Sequence, residues 1–386
     1  KKHCFSNGNR DVMASIESKN THLIQECVSN QFEQGLDELD FICGIIGDQP
    51  SKYAKSPIIW TSAFKELGIN AKYLPFDVKA ENLEPLVGAL KDTASYIGGN
   101  VTVPYKVSVM DYLDELDPLA SRIGAVNTIV KDNEGRLIGY NTDAEGALAS
   151  MVQKLPWNSA PFLDGLDGFN VLILGAGGAA RATAFILASQ KNLGRLWISN
   201  RSIEKGKDLV AAISEIHPES DFIEINQIND IIGDIDLIIN ASVIGQSGIR
   251  KISDGSLTSL EPYNPLAEVR EIGIEIQGDI VEGDFYDKWF WSARPGISEN
   301  HVAALGTVRK NGARAAYFDL IYSPLETAFL RQARLSGHKV LNGKGMNIIQ
   351  AVEAFVPRVL ASYFEQRKYD TKAVYAKVFD AMLKVW

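Results

Sequence analysis

The stretch "VLILGAGGAARA", Val171–Ala182, sets a four-residue apolar run against Gly175, Gly177 and Gly178, followed by small residues able to open a helix. It reads as strand, tight turn and helix. Gly175 permits the turn, and Gly177 lets backbone approach a pyrophosphate. Ala179 and Ala180 keep the helix start slim, so that it packs closely on the strand. Unpaired N–H groups at the helix start then face the phosphates. A lone G-x-G-x-x-[GA] also occurs in plain strand–helix turns. With an apolar strand before it and a helix after it, dinucleotide binding is the stronger reading.

The next strand selects the cofactor. Where plain ribose is bound, such a strand usually ends in Asp or Glu, which takes the 2′-hydroxyl. Here "WISNRSIEKGK" ends in Asn200, Arg201 and Ser202, with Lys205 just beyond. A guanidinium and an ammonium complement a 2′-phosphate, so the cofactor expected is NADP. Glu204 opposes this mildly, and solvated surface charge is the plainer alternative.

The rest of the chain bounds the class of protein. Its 386 residues suit two domains, and 46% are hydrophobic and 23% charged, as in ordinary globular proteins. The net charge of −9 argues against nucleic acid as a partner. No basic amphipathic helix and no long apolar run points to a membrane. Cys4, Cys27 and Cys43 form neither a disulfide framework nor a CxxC pair, and the five histidines do not pair at ligand spacing, so no metal is expected. Free thiols, and a start "KKHCFSNGNRD" without an apolar signal core, fit a reducing, cytoplasmic setting.

Residues 1–38 are polar and mixed, with helical tendency but no evident relation to the rest of the chain. From "FICGIIGD" at Phe41, short apolar runs alternate with helical patterns through "PIIWTSAFKELG", "KYLPFDV", "ENLEPLVGALKD" and "YIGGNVTVP". That alternation predicts parallel strands with crossover helices. "VNTIVKDNEGRLIGYNT" adds a hairpin around "DNEG". The fold class expected is therefore α/β in two domains. Residues 39–150 form a substrate domain completed by amphipathic C-terminal helices at 346–386, and residues 151–345 form the dinucleotide domain. A long segment at about 246–312 interrupts the latter and carries the aromatic cluster Trp289, Phe290 and Trp291.

Taken singly, a lysine past a strand and an aspartate in "GYNTDAEG" are a solvated tip and a helix cap. The ordered series "GNVTVPYK", "IGAVNTIV", "GYNTDAEG", "GAGGAARA", "NRS", "INASVIG", "FDLIYSPLET" and "GKGMNIIQAVEAF" closely resembles the shikimate dehydrogenase family, which includes quinate dehydrogenases. The resemblance covers roughly residues 41–245 and 313–360. It implies a substrate domain, a Rossmann NADP domain, an active site in the cleft between them, and Lys106 with Asp143 as the catalytic pair. That pairing is chemically apt. Oxidising a ring alcohol moves a hydride to nicotinamide and a proton off the hydroxyl, and an ammonium beside a carboxylate can handle that proton. By the same resemblance, Ser56, Thr102, Asn127, Tyr322 and Gln350 bind the small-molecule substrate, and Gly345 and Met346 lie near the nicotinamide.

The chain departs from this pattern in places. The family's S-x-S-P segment reads "YAKSP", which keeps Ser56 but puts Ala54 where a second hydroxyl is usual; Tyr53 and Ser51 are the substitutes at hand. Trp60 and Thr61 stand where His-Asn is usual, and Tyr140, Ala144 and Gln246 replace the usual Asp, Gly and Met. The expected activity is NADP-dependent interconversion of 3-dehydroshikimate and shikimate. Two alternatives remain open: a degradative quinate/shikimate dehydrogenase, or a silent quinate-pathway regulator with the same fold. The altered positions also leave room for an amino-analogue or another ring polyol. The 246–312 segment is foreign to the family core. Its aromatic cluster suits a structural lobe or a homo-oligomer contact better than catalysis.

Overall fold

A computed structural model describes residues 22–33, 35–275 and 282–386. Cys4, His3, most of the N-terminal extension and residues 276–281 of the interrupting segment lie outside the described residues. The chain divides into two compact units, one of residues 1–146 with 348–386 and the other of residues 147–347.

The first unit is built on a six-stranded sheet of order β2-β1-β3-β5-β6-β4. Its strands are β1 (Phe41–Gly47), β2 (Ala71–Asp77), β3 (Tyr96–Val101), β4 (Glu115–Leu116), β5 (Thr128–Lys131) and β6 (Leu137–Tyr140). β1 runs parallel to both β2 and β3, as the strand–helix alternation requires. β5 and β6 are antiparallel, because the short "DNEG" connection allows only a hairpin. The sheet is therefore mixed rather than wholly parallel.

Along β1, side chains alternate faces, and both faces are covered. Ile42 and Ile46 join Leu86, Leu90 and the helix Leu83–Asp92 on one side. Cys43 and Ile45 join Trp60, Phe64 and Phe355 on the other, where the helix Ser56–Leu67 meets the C-terminal helices. Residues 22–38, whose composition shows no link to the rest, are also part of this unit. Ile24, Val28 and Leu36 enter its core. Asn30 lies along β2, accepting from Asp77 N and donating to the Pro75 carbonyl, both at 2.9 Å. Polar cover on an edge strand hides hydrogen-bonding groups that would otherwise template aggregation.

The second unit holds an all-parallel sheet made of β7 (Val171–Leu174), β8 (Leu196–Ser199), β9 (Ser220–Phe222), β10 (Leu237–Asn240), β13 (Ala316–Asp319) and β14 (Lys339–Leu341). Its order, β14-β13-β10-β7-β8-β9, reverses direction between β7 and β10. This is the doubly wound Rossmann arrangement, in which ligands bind where the strand order reverses.

The interrupting segment supplies a small hairpin, β11 (Ile249–Lys251) with β12 (Leu257–Ser259), and the long helix Glu282–Lys310. These elements have their own core of Leu260, Tyr263, Phe285, Trp289, Ala293 and Ile297. Of the aromatic cluster, Trp289 is buried and stacks on Phe285 at 5.8 Å, while Phe290 and Trp291 are exposed. No described helix is long and apolar enough to cross a membrane.

Candidate active site

β3 ends at Val101, before Pro104, and Thr102 N still bonds the Ile46 carbonyl at 2.8 Å. The proline therefore sits in the turn beyond the strand and does not itself end the ladder. That turn is held from two sides. The buried Tyr105 donates its hydroxyl to the Val78 carbonyl at 2.9 Å, and Val126 N donates to the Lys106 carbonyl at 2.7 Å. Lys106 thus stands on an anchored loop.

Asp143 opens the helix Asp143–Val152, but it does not cap it. The cap is Asn141, whose Oδ1 accepts from Asp143 N at 3.1 Å and Ala144 N at 3.4 Å. The Asp143 carboxylate remains available, and Lys106 Nζ donates to its Oδ2 at 2.6 Å. The side chains are 17% and 8% exposed respectively, so the pair is largely dry, with Lys106 the more exposed partner. The first turn of a helix also suits a carboxylate electrostatically.

Around the pair lies a connected polar network. Asn127 Nδ2 donates to Asp143 Oδ1 at 2.9 Å, and it also lies 3.1 Å from Thr142 Oγ1 and 3.3 Å from Gln350 Oε1. Asn127 Oδ1 accepts from Thr142 N at 2.8 Å and from Thr128 Oγ1 at 2.9 Å. The network continues through Asn100, whose Nδ2 reaches the Asn127 carbonyl and Thr128 Oγ1 at 3.2 Å. Tyr73 donates to Asn100 Oδ1 at 2.7 Å and is hydrogen-bonded in turn to Ser56. Burial pushes the Tyr73 phenol well above its usual range, so it stays a neutral donor.

Of the residues expected from sequence, the first unit thus joins Lys106, Asp143, Asn127 and Gln350 directly, with Ser56 reached through Tyr73 and Asn100. Thr102 lies apart from this network. Its methyl group approaches Gly47, where a Cβ would come within 2.5 Å of it. Thr142, Asn141, Asn100 and Tyr73 were not singled out from sequence. Asn100, Asn141 and Thr142 lie within the "NVT" and "YNTD" stretches, which is their one sequence signal, whereas Tyr73, in "KYLPFDV", carries none. Two residues past Asp143, Glu145 is gripped by Arg358 Nη2 at 2.9 and 3.2 Å, and that guanidinium lies over the Tyr140 ring at 5.5 Å.

In the second unit, Gly175 follows β7 directly with φ +122°, and a Cβ there would meet Ala241 C at 2.9 Å. Only glycine fits that approach. Gly177 differs, since a Cβ at that position would meet nothing within 4 Å among the described residues. The protein's own packing does not demand this glycine, whereas a pyrophosphate would. Gly177 also brings no side-chain cap to the helix Gly178–Ala188, so the first-turn N–H groups around Gly178 and Ala179 remain for an anion.

At the end of β8, Ser202 caps the helix Ile203–Ser214 by accepting from Lys205 N at 3.4 Å, and Asn200 Nδ2 donates to the Ser202 carbonyl at 2.9 Å. Arg201 projects beside them and is strongly exposed. Tyr322 lies half-buried just past β13. Gly345 packs closely on Leu155, where a Cβ would stand 2.8 Å from its Cδ1, and Met346 is buried beside it in the helix Lys344–Ala354. This donor set fits a dinucleotide with a 2′-phosphate.

Comparison with known proteins agrees with this reading. Residues 45–129 match the family model described as shikimate dehydrogenase substrate binding domain, and residues 160–252 match shikimate / quinate 5-dehydrogenase. A shikimate dehydrogenase (NADP(+)) of Methanococcus maripaludis strain C6 is 34% identical over 320 residues, which is 83% of this chain and 92% of that one. The chain belongs to the shikimate dehydrogenase family. A crystal structure of a shikimate dehydrogenase in complex with NADP+ superposes with TM-score 0.61 at 29% identity, covering 92% of this chain and all of the other. The Thermus thermophilus enzyme, solved with NADP(H) and shikimate, gives 0.57 at 25% identity over 88% of this chain and 99% of that one.

Several departures from the usual shikimate dehydrogenase pattern prove structural. Trp60 is fully buried against Tyr73 at 4.7 Å and Phe355 at 5.0 Å. Thr61 donates to the Pro57 carbonyl at 2.6 Å on the exposed side of its helix. Ala54 packs against the core of the first unit. The Ser51 hydroxyl is committed to Asp77. Tyr53 remains exposed, its hydroxyl 3.5 Å from the Val103 carbonyl.

Proposed function

We propose that the chain catalyses the reversible, NADP-dependent reduction of 3-dehydroshikimate to shikimate. The observation that carries this reading is the largely dry Lys106–Asp143 pair, 2.6 Å apart and held by Asn127. The names of its relatives, shikimate dehydrogenase (NADP(+)), support the same substrate and cofactor. The backbone of Gly175, Gly177, Gly178 and Ala179 would hold the pyrophosphate. Arg201 and Lys205, with Asn200 and Ser202 shaping the turn, would hold the 2′-phosphate. Gly345 and Met346 would border the nicotinamide.

In reduction, the ketone carbon gains a hydride and its oxygen gains a proton, giving a secondary alcohol. The bound cofactor supplies the hydride. Lys106 Nζ donates a hydrogen bond to the carbonyl oxygen and passes it a proton as negative charge develops there. Asp143 keeps Nζ aimed through Oδ2, while Asn127 holds Asp143 through Oδ1, so the pair needs no rearrangement during the step. Lys106 then regains a proton through its exposed side. Oxidation runs the same path backwards, with Lys106 taking the hydroxyl proton. Ser56, Thr102, Gln350 and Tyr322 serve as ligands for the ring hydroxyls and carboxylate. Cys27 and Cys43 are unpaired thiols, which supports work in the reducing cytoplasm.

The test pairs purified protein with shikimate or quinate and with NADP+ or NAD+, following absorbance of the reduced cofactor. Shikimate with NADP+ should give the highest kcat/KM. A preference for quinate, or no reduction with any pairing, contradicts the proposal.

A further inference from the structure

Glu271 lies in the segment between β10 and β13 that interrupts the dinucleotide-binding unit, yet its carboxylate reaches Arg201. Arg201 Nη1 donates to Glu271 Oε2 at 3.0 Å. The two partners differ in exposure. Arg201 is 88% exposed and has room to reorient, whereas Glu271 is 27% exposed.

The backbone on either side of Glu271 is pinned. The Arg270 carbonyl accepts from the Tyr263 hydroxyl at 3.0 Å, and the Ile272 carbonyl accepts from Trp289 Nε1 at 2.8 Å. Two residues on, Ile274 and Leu257 exchange both backbone hydrogen bonds at 2.9 Å. Tyr263 and Trp289 belong to the small core of the interrupting segment. That core therefore holds a carboxylate against the cation at the end of β8.

An ion pair with one partner this exposed adds little to stability, so the contact is poorly explained as a staple of the fold. Its stronger consequence concerns what else binds Arg201. A phosphate monoester carries close to two negative charges at neutral pH. One approaching Arg201 meets a fixed carboxylate already within hydrogen-bond reach of the same guanidinium.

We propose that Glu271 is a specificity-determining residue for the cofactor: it competes for Arg201 and limits how strongly a 2′-phosphate is preferred over a 2′-hydroxyl. A plain ribose makes no demand on Arg201, so the pair persists and NAD+ binding is indifferent to Glu271. This inference rests on Arg201 being the 2′-phosphate ligand of the function proposed above.

The test is a set of equilibrium titrations of NADP+ and NAD+ into the full chain and its Glu271→Gln, Arg201→Ala and doubly substituted forms. Glu271→Gln keeps the shape and removes the charge. It should tighten NADP+ about 2–5-fold, the scale of releasing Arg201 from one exposed ion pair. NAD+ affinity should stay within about twofold, and the gain should vanish when Arg201 is alanine. If Arg201→Ala weakens NADP+ selectively but Glu271→Gln leaves NADP+ unchanged, or tightens both cofactors equally, the competition proposal is overturned alone. If Arg201→Ala weakens both cofactors equally, the 2′-phosphate reading falls and the proposal falls with it.

Discussion

At the scale of single residues, Asn127 does most to fix the geometry around the Lys106–Asp143 pair. Its amide spans Asp143, Thr142 and Gln350 on one side and accepts from Thr142 and Thr128 on the other. Asn127→Ala should strand several buried polar groups and cost about 1–3 kcal/mol of stability. It should also lower kcat more than it raises KM for shikimate, because Asp143 loses a positioning donor. Thermal melts and steady-state kinetics on one preparation check both parts, and a rise in KM with kcat intact would contradict the positioning role. Lys106 and Asp143 were legible in sequence through the motifs that surround them. The network behind them was not. Tyr73, Asn100 and Thr142 come from separate strands and loops, and only the pairing of β1, β2, β3, β5 and β6 brings them together. The capping role of Asn141 was equally hidden, since "NTD" offers three side chains able to cap and the backbone decides among them.

At the scale of elements, the ends of β10 and β13 are tied by Asp319. Its Oδ1 accepts from Asn240 Nδ2 and Ile321 N at 3.0 Å, and its Oδ2 accepts from Thr327 Oγ1 at 2.6 Å. Complete burial pushes this carboxyl up to about 7, against the pull of those three hydrogen bonds. The folded state then holds its proton more tightly than the unfolded chain, where the carboxyl titrates near about 4. Its stabilising effect is therefore full below about pH 4 and is lost as the pH climbs towards about 7. Asp319→Asn keeps the shape and removes the titration. The Tm of the wild type minus that of the variant should fall steadily between about pH 4.5 and 7.5. A flat or rising difference would contradict this assignment. The strand–glycine–helix element was readable because backbone sterics dictate its residues, as Gly175 against Ala241 shows. Residues 22–38 were not, since a polar segment lying along an edge strand has no periodicity of its own.

At the scale of the whole molecule, one unit depends on the end of the chain. Val374, Val378 and Met382 of the helix Thr371–Val385 are buried with Trp60 and Phe355 in the core of the first unit. Together they contribute about 5–9 kcal/mol, which rivals the whole stability of a typical domain of about 5–15 kcal/mol. Ending the chain at Gln366 should abolish shikimate turnover while residues 147–347 still bind NADP+, as parallel cofactor titrations and activity assays would show. Loss of both together would contradict the independence of the second unit. The α/β class was legible because strand–helix alternation is written locally. The small core around Trp289 was not, because only the folded backbone separates a buried Trp289 from the exposed Phe290 and Trp291. The central claim is that the Lys106–Asp143 pair moves the proton of a dehydrogenase, and steady-state kinetics of Lys106→Ala with shikimate and NADP+ test it most directly. The account predicts a fall in kcat of about 10²–10⁴-fold with NADP+ affinity unchanged; turnover within a few-fold of wild type would contradict it.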